Sequence, residues 1–570
     1  MPKKINFYLL QTIVVLIPAS LVIYFAYHAG ALPDNDYWTS ISDVLSIEGG
    51  FSSNVSDWVV RNNEHYVFLP KLVYAANIFL TGGSNVGLSF FAWFMALLQV
   101  FLLYRLIPVK KDQSPFLFTL LLFVVAVFIF SPRQAHNWIL GMSGVAWISA
   151  NFFSISALVL LQQYANTEKK IDLTKTIALS LCAIATYSTS LALFPTLIVA
   201  VFLLKLKLQD KILVAVFSLV ILAVYFATYS TPSYHPPIER SFIALATYFV
   251  AFIGALYTVQ LNYALIVGFF GLMSSVFFIF YLYKKKTGWS AILPWILIQL
   301  YVCGNAAMAG LARSGFGVEQ AFSSRYGSLP ALFWLSWVMM AFTFCLQQRL
   351  NIRKVFLFTL TCLGTVFVFF NYLVGGLTAI PLLERAEKKS LTMASVYSHA
   401  YDLDLLHETM LAGITFEGMD KVTQTLAANH HVPFNGVFKD CPMIGRQLTQ
   451  IASSFTQQNI GFVDQIKLRN DRVIEISGWA YNNGYPPRCI VLTNDDNIVR
   501  GVAVYGLNRP DIPKTMPAIL SNKTGWQGYG KIDSHDKLVK VFMLTIDNQD
   551  WIPLTGYFQI SHQPPYFKKK

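Results

Sequence analysis

The sequence predicts a polytopic α-helical membrane protein that ends in a mainly-β domain. Its 570 residues are 55% hydrophobic and only 13% charged, whereas soluble domains carry about 25% charged residues. Eleven apolar runs are long enough to span a bilayer, and after about residue 460 short alternating segments replace them. The net charge of +13 fits the basic residues that cytoplasmic loops of membrane proteins collect, so we expect no nucleic-acid partner.

The first apolar run follows Lys3 and Lys4. Its apolar core is about twice as long as that of a signal peptide, so we interpret it as a retained membrane helix. The other runs of spanning length lie at 86–108, 115–131, 143–162, 174–188, 190–206, 211–229, 262–283, 289–311, 327–347 and 355–378.

Clusters of Lys and Arg between the runs predict the topology, because such clusters stay in the cytoplasm. They lie at 3–4, 105–111, 169–175, 205–211, 284–286 and 349–354. If all of them are cytoplasmic, the further apolar run at 241–258 does not cross the bilayer and the chain crosses it eleven times. The sequence therefore predicts a cytoplasmic N-terminus and an extracytoplasmic C-terminal domain.

The C-terminal part of the chain changes in character. We assign 1–384 to the transmembrane domain, with a large first outer loop at 31–85, then 385–457 to a helical connecting region and 458–570 to a β-sandwich. Short alternating segments between Asn, Asp, Gly and Pro turns are typical of such a sandwich.

Two cysteines of this part have two possible states. If Cys441 and Cys489 meet an oxidising compartment, they could pair in a disulfide. The alternative is two unpaired buried thiols.

The predicted topology brings acids, histidines and arginines from four distant loops to one side of the membrane. The first loop contributes Asp34, Asp36, Glu64 and His65. A partly desolvated carboxylate near the bilayer can have a pKa suited to a general base, so each of these four is a candidate for taking a proton from an acceptor hydroxyl. The alternative for Asp34 or Asp36 is that it caps a helix beginning near Tyr37.

The later outer loops supply mainly cationic candidates. These are Arg133, His136, Arg240, Arg313, Arg325 and Tyr326. Outward arginines run against the usual charge bias, and a guanidinium binds phosphate through a fork of donors. We therefore predict a site for the phosphate of a lipid carrier. The alternatives are that each arginine ties loops together through a carboxylate, and that Arg325 and Tyr326 anchor a helix end at the interface.

Short motifs and the predicted architecture resemble a known group of enzymes. The stretches "NEHYVFLPKL" at 63–72 and "SSRYGSLP" at 323–330 resemble motifs of bacterial membrane proteins that modify O-antigen or other surface polysaccharides. The acids of "PDNDYW", which open the first loop, the many crossings and the C-terminal domain resemble the GT-C glycosyltransferases. The resemblance covers about 1–380.

The resemblance implies the activity of a hexosyltransferase. Such an enzyme transfers a sugar from a polyprenyl-phosphate donor to a glycan acceptor on the periplasmic face of the bacterial inner membrane. Carried over, Asp36 or Asp34 would be the base, and arginines such as Arg325 and Arg313 would hold the donor phosphate. Some of these enzymes use a divalent metal and others none, and the outer loops show no cluster that demands one.

The C-terminal stretch that begins "ISGWAYNNGYPPRC" resembles β-sandwich modules appended to surface-sugar enzymes. Trp479, Tyr481 and Trp526 are candidates for stacking on sugar rings. The alternative is that they are packed core aromatics.

Two other functions fit parts of the pattern. An O-antigen polymerase or ligase would also use outer arginines and a histidine, but usually in a large loop late in the chain, whereas the largest outer loop here is the first. A transporter or flippase of lipid-linked glycans would need ionisable residues within the spans, and the predicted spans contain almost none. We therefore expect a glycosyltransferase.

Overall fold

The structure, a computed structural model, describes most of the chain. The described residues are 7–230, 235–237, 239–286, 288–348, 350–410, 415–452, 461–470, 472–481, 486–545, 551–560 and 567–569. Lys3, Lys4 and Arg349 of the predicted basic clusters lie outside them, as do 458–460 at the start of the predicted β domain.

Each predicted spanning run coincides in large part with an α-helix. The α-helices are α1 (Phe7–Tyr27), α2 (Asn35–Ser42), α3 (Val55–Val59), α4 (Phe68–Thr81), α5 (Asn85–Tyr104), α6 (Pro115–Ile129), α7 (Ala135–Ile139), α8 (Gly141–Thr167), α9 (Lys170–Thr186), α10 (Leu193–Leu203), α11 (Leu208–Ala227), α12 (Phe242–Gly254), α13 (Leu261–Lys285), α14 (Trp289–Arg313), α15 (Ser328–Leu346), α16 (Leu350–Tyr397), α17 (Leu403–Thr409), α18 (Phe416–Ala428) and α19 (Asp511–Thr515).

Membrane-length helices dominate the first two thirds of the chain. Nine helical segments among the described residues are long and apolar enough to cross a membrane. The predicted runs at 174–188 and 190–206 form shorter helices, because the chain leaves α-helical geometry between α9 and α10. The length and apolar composition of these helices indicate a membrane protein. The count of eleven crossings stays a prediction.

The run at 241–258 forms the short helix α12, which has 13 residues. Such a helix rises about 20 Å, less than the roughly 30 Å of a bilayer's hydrocarbon core. The predicted crossing at 190–206 also contains a short helix, α10, with 11 residues, so length alone does not decide and the expectation that 241–258 does not cross stays a prediction.

Contacts divide the chain into two compact units. Unit 1 comprises Met1–Ala29, Val55–Val73 and Val86–Leu383, and unit 2 comprises Gly30–Asn54, Tyr74–Asn85 and Glu384–Lys570. Unit 1 ends at Leu383, and the sequence analysis ends the transmembrane domain at 384. Two pieces of the first loop differ from the prediction, because they belong to the C-terminal unit rather than to the transmembrane domain.

Close helix approach in unit 1 depends on small residues. A Cβ added to Gly254 would lie 2.0 Å from the carbonyl oxygen of Ala264, and one added to Gly268 would lie 2.1 Å from that of Val250. Helices α12 and α13 therefore touch backbone to backbone, as small residues allow in membrane helices. Among the described residues, an apolar core of unit 1 extends from α1 to α16.

Hydrogen bonds explain why both loop pieces belong to unit 2. Tyr37 Oη, in the first piece, lies 2.7 Å from His431 Nε2. In the second piece, the carbonyl of Gly82 accepts a hydrogen bond from the N–H of Val432 at 2.8 Å. Both pieces therefore form hydrogen bonds with the segment after α18.

The described strands of unit 2 form one curled antiparallel sheet. They are β1 (Gly461–Leu468), β2 (Val473–Ala480), β3 (Cys489–Thr493), β4 (Val499–Leu507), β5 (Gly525–Lys531), β6 (Leu538–Leu544), β7 (Ile552–Pro553), β8 (Phe558–Ile560) and β9 (Phe567–Lys569). Their order is β1-β2-β5-β4-β3-β6-β8-β9, with β7 also paired to β6. The predicted antiparallel mainly-β domain is confirmed, but its strands join in one sheet instead of two.

Both faces of this sheet are covered. Every residue of β3 is buried, and alternate side chains of a strand point to opposite faces. Ile490 and Leu492 join an apolar cluster on one face, whereas Val491 joins a second cluster with Leu391 and Ala394 of α16. The end of α16 thus covers the face of the sheet on which Val491 lies.

The aromatic candidates of this domain are mostly core residues. Trp526 is 1% exposed and Trp479 is 6% exposed. Trp479 packs on Ile512 and Ile519, with Tyr481 at the margin of that cluster. The packing interpretation is therefore correct for the two tryptophans, and sugar stacking is wrong for them.

Cys441 and Cys489 are joined in a disulfide with 5.3 Å between their Cα atoms. Of the two states that the sequence left open, the structure has the bonded one. The bridge ties the segment after α18 to the start of β3.

We predict that a maleimide reagent labels neither Cys441 nor Cys489 in the native protein until a reductant is added. A loop of this length (separation 48) should restrict the unfolded chain by about 4 kcal/mol, so Cys489→Ser should lower the denaturant midpoint of unit 2. Cys182→Ser, which removes a free cysteine, is the matched control. Labelling of both residues without reduction would contradict the bridge.

Candidate functional site

Four side chains from distant parts of unit 1 meet in what we call the Glu64 cluster: Glu64, His65, His235 and Arg313. Arg313 Nη2 donates to Glu64 Oε1 in an ion pair, and Arg313 Nη1 lies 2.8 Å from His235 Nε2. His65 Nε2 lies 3.4 Å from Glu64 Oε1, and His235 Nε2 lies 3.9 Å from Glu64 Oε2. The cluster therefore centres on one carboxylate.

Helix ends place these residues together. Glu64 and His65 lie just before α4, His235 follows α11, and Arg313 is the last residue of α14. Polar side chains at helix ends need not enter the hydrocarbon core, where charge is costly. Three of the loops that the sequence analysis assigns to the outer side thus meet through side-chain contacts, while the side of the membrane on which they lie stays a prediction.

The cluster is largely shielded from solvent. The side chain of Glu64 is 8% exposed and that of His235 is 2% exposed. Burial alone would raise the pKa of Glu64, but the neighbouring His65 and Arg313 outweigh it and hold that pKa below its ordinary value. Because a guanidinium stays charged, Arg313 is the partner that keeps Glu64 ionised at neutral pH.

Both histidines of the cluster are neutral at neutral pH. Burial lowers the pKa of His65 to about 4, and the charges of Arg313 and Arg325 add to this effect against the attraction of Glu64. Burial and Arg313 also lower the pKa of His235. A guanidinium only donates, so His235 Nε2 accepts from Arg313, as a neutral imidazole can.

Two buried atoms of the cluster have no hydrogen-bond partner among the described residues: Glu64 Oε2 and His65 Nδ1. Since His65 Nε2 faces a carboxylate oxygen, its proton belongs on that nitrogen and Nδ1 is an acceptor. Buried polar atoms are normally paired, and exceptions call for an explanation. Both atoms are acceptors, so a ligand that bonds to them must bring hydrogen-bond donors.

The backbone at Glu64 is held by two side chains that the sequence reasoning missed. The carbonyl of Glu64 accepts from Tyr225 Oη at 2.6 Å and from Ser188 Oγ at 3.3 Å. The ring of Tyr187 stacks on His65 with 4.0 Å between centroids. Tyr187 and Ser188 lie at the break between α9 and α10, so the polar "YSTS" at 187–190 between two apolar runs was the available signal.

A further arginine fastens the same loop segment. Arg61 lies over the rings of Tyr66, at 4.1 Å, and Tyr225, at 4.8 Å. It also donates to Thr228 Oγ1 at 2.5 Å. Residues 61–66 are therefore anchored to the end of α11, which limits how far Glu64 can move.

Arg325 and Tyr326 lie beside the cluster. The guanidinium of Arg325 is 5.3 Å from the ring centre of Tyr326, and its charge acts on His65. The rings of Tyr326 and Trp147 lie 5.2 Å apart, and those of Trp147 and Tyr187 lie 5.3 Å apart. An aromatic wall thus connects this predicted pair to the Glu64 cluster.

The other cationic candidates have different surroundings. Arg133 is 1% exposed and donates to the carbonyls of Ala255 and Phe322 at 2.9 and 2.6 Å. His136 forms a hydrogen bond with Ser324. Both residues therefore tie their segment to neighbouring loops of unit 1.

Arg240 is exposed. The carboxylate of Glu239 accepts from the backbone N–H of Arg240 at 2.9 Å. Arg240 is therefore positioned through its backbone.

Asp34 and Asp36 belong to unit 2. Asp34 is the N-cap residue of α2, yet its side chain makes no capping hydrogen bond. It instead accepts from Lys389 Nζ at 2.5 Å, and the side chain of Lys389 is 1% exposed. Asp36 is half-buried in the first turn of α2. The capping alternative is therefore wrong for the Asp34 side chain, which serves a buried ion pair.

The part of the chain that the structure describes contains no group of three or more His, Cys, Asp or Glu side chains placed to hold a metal ion.

Comparison of the chain with known protein families, with curated proteins and with solved structures finds no match. The geometry of the Glu64 cluster is therefore what any functional assignment depends on.

We predict that His65 makes folding stability pH-dependent. An unfolded histidine titrates near 6.5, whereas His65 in the folded protein stays neutral down to about 4. Between these values the unfolded state binds more protons, so the free energy of unfolding falls as the pH is lowered, by up to about 3 kcal/mol.

Denaturant unfolding in detergent from pH 7 to pH 4 measures this effect. His65→Gln should show a smaller decrease than the wild type. The comparison isolates His65 from His431, whose pKa burial also lowers to about 4. Equal slopes in both proteins would contradict a buried neutral His65.

Proposed function

We propose that the protein is a glycosyltransferase that transfers a sugar from a polyprenyl-phosphate donor to a glycan acceptor outside the cytoplasmic membrane. The observation that carries the proposal is Glu64: a buried carboxylate, ionised by Arg313, with one oxygen unpartnered among the described residues. It lies at helix ends of a bundle with membrane-length helices. That position suits a reaction between a lipid-anchored donor and a polar acceptor.

Glu64 serves as the base in this proposal. Oε2 accepts a hydrogen bond from the acceptor hydroxyl and takes its proton as the hydroxyl oxygen bonds to the anomeric carbon. The bond between that carbon and the phosphate oxygen breaks, and its electron pair leaves with the polyprenyl phosphate. Because its pKa is lowered, Glu64 is a weaker base than an ordinary carboxylate, but it is ionised at neutral pH. Proton transfer by a positioned side chain typically accelerates a reaction roughly 10²–10⁴-fold.

Arginines supply the charge for the leaving phosphate. Arg313 contacts Glu64 directly, and the charge of Arg325 also reaches His65. Positive charge fixed near a developing phosphate is a main source of transition-state stabilisation. His65 Nδ1, which accepts hydrogen bonds, orients a second hydroxyl of the sugar.

The disulfide supports a location of the C-terminal domain outside the cytoplasm. Bonds such as Cys441–Cys489 form and persist in oxidising compartments, which include the bacterial periplasm. The periplasmic face of the inner membrane, and an O-antigen-like polysaccharide as acceptor, follow from the resemblance of "NEHYVFLPKL" and "SSRYGSLP".

We predict that Glu64→Gln lowers transfer at least 100-fold, because the amide is nearly isosteric but cannot take the proton. The measurement is the surface polysaccharide of cells that carry each variant, with equal amounts of protein in the membrane. Glu48→Gln, which alters an exposed acid of the same loop, is the matched control and should leave the polysaccharide unchanged.

Asp36→Asn separates the proposed base from the one that the resemblance implies. Loss of one sugar branch in Glu64→Gln but not in Asp36→Asn supports Glu64. The reverse result moves the base to Asp36 and retains the transferase. If deletion of the whole protein leaves the polysaccharide unchanged, the transferase proposal itself fails.

A further inference from the structure

Arg133 is a buried cation without a counter-ion among the described residues. It is 1% exposed, and no described carboxylate forms an ion pair with it. Two carbonyls accept from its Nε and Nη2, whereas Nη1 is buried without a hydrogen-bond partner. A buried charge is costly unless it is paired, so this guanidinium requires an anion. Arg313, by contrast, is already paired with Glu64.

A second unpartnered donor lies next to it. Asn371 of α16 is 1% exposed, and its Oδ1 accepts from Ser131 Oγ at 2.7 Å. The same Ser131 oxygen accepts from the N–H of Arg133 at 3.1 Å. The other atom of the amide, Asn371 Nδ2, has no hydrogen-bond partner in the described structure. Ser131 therefore holds Asn371 and Arg133 side by side.

Close backbone packing fixes this neighbourhood. A Cβ added to Gly375 would lie 2.5 Å from the backbone nitrogen of Arg133. Only glycine at this position lets α16 approach the 131–133 segment closely enough for Asn371, one turn earlier, to reach Ser131. The placement of the two donors is thus a property of the helix packing.

A third buried donor without a partner among the described residues belongs to Tyr257, a residue linked to both Arg133 and α16. Tyr257 is 5% exposed, and its hydroxyl is likewise buried without a partner among the described residues. Its ring stacks on Phe367, one turn of α16 before Asn371, with 4.7 Å between centroids. It lies two residues after Ala255, whose carbonyl accepts from Arg133.

We propose that Arg133, Asn371 and Tyr257 form an internal binding site for one phosphate-type oxyanion, separate from the Glu64 cluster. A guanidinium, an amide NH₂ and a hydroxyl are all donors, and a site that offers donors and net positive charge selects an anion. The oxyanion comes from free phosphate or from the phosphate of a lipid, which share this chemistry. The site does not depend on the proposed transferase activity.

Thermal unfolding of the full-length protein in detergent tests the site. In chloride-free buffer, inorganic phosphate or phosphatidylglycerol in mixed micelles should raise the Tm of the wild type by about 2 °C or more, since a ligand of the folded state stabilises it. Whichever of the two raises the Tm identifies the source of the oxyanion.

Asn371→Asp is the decisive variant. Its carboxylate would sit beside Arg133 as a built-in anion, so we expect a folded protein whose Tm no longer responds to phosphate or to the lipid. Arg133→Gln should lose the response as well. Arg105→Gln, which removes an exposed arginine that belongs to none of the candidate sites, is the control and should keep it.

Three outcomes would overturn the proposal. The first is a Tm of Asn371→Asp that rises with phosphate as much as that of the wild type. The second is a wild-type Tm that rises with chloride, at equal ionic strength, as much as with phosphate, which would make the site a halide site. The third is a wild-type Tm that neither phosphate nor phosphatidylglycerol raises, which would mean that water satisfies the donors.

Discussion

The ion pair between Arg313 and Glu64 is the contact on which the candidate site depends. Glu64 is buried, and a buried carboxylate that loses its partner typically destabilises a protein by roughly 3–5 kcal/mol. The pair joins the segment before α4 to the end of α14, and His235 attaches the segment after α11 to the same guanidinium. One interaction therefore brings three distant segments to a common point and keeps the carboxylate ionised there.

The membrane environment explains why the charged contacts of the Glu64 cluster lie at helix ends. Inside the hydrocarbon core every backbone group must be satisfied within its helix, so irregular backbone is confined to helix ends and breaks. The break between α9 and α10 places Tyr187 and Ser188 against His65 and Glu64. An interruption that shortens two apolar helices is thus also what positions the candidate base.

Two pieces of the first loop belong to unit 2, although in the sequence they lie between helices of unit 1. Two loop pieces pack on the segment after α18, and Asp34 forms a buried pair with Lys389 of α16. The acids that open this loop therefore contribute to the structure of the C-terminal unit. Between the two pieces, residues 55–73 return to unit 1 and carry Glu64. Nearby acids of one loop can thus differ in role because they belong to different compact units.

The sequence by itself determined the membrane class, the positions of the helices and the antiparallel β domain, because apolar length and alternation are local properties. It also nominated Glu64, His65 and Arg313. It did not determine which acid pairs with which cation, since Glu64 and Arg313 are 249 residues apart. Asp34 and Lys389 are 355 residues apart.

Only the tertiary structure decided these pairings. The same holds for the contrast between Arg313, which pairs with a carboxylate, and Arg133, which pairs with none among the described residues. In the sequence both are arginines of predicted outer loops, with nothing to distinguish them. The physical reason is that the cost of burying a charge depends on what surrounds it, and helix packing brings those surroundings from every part of the chain.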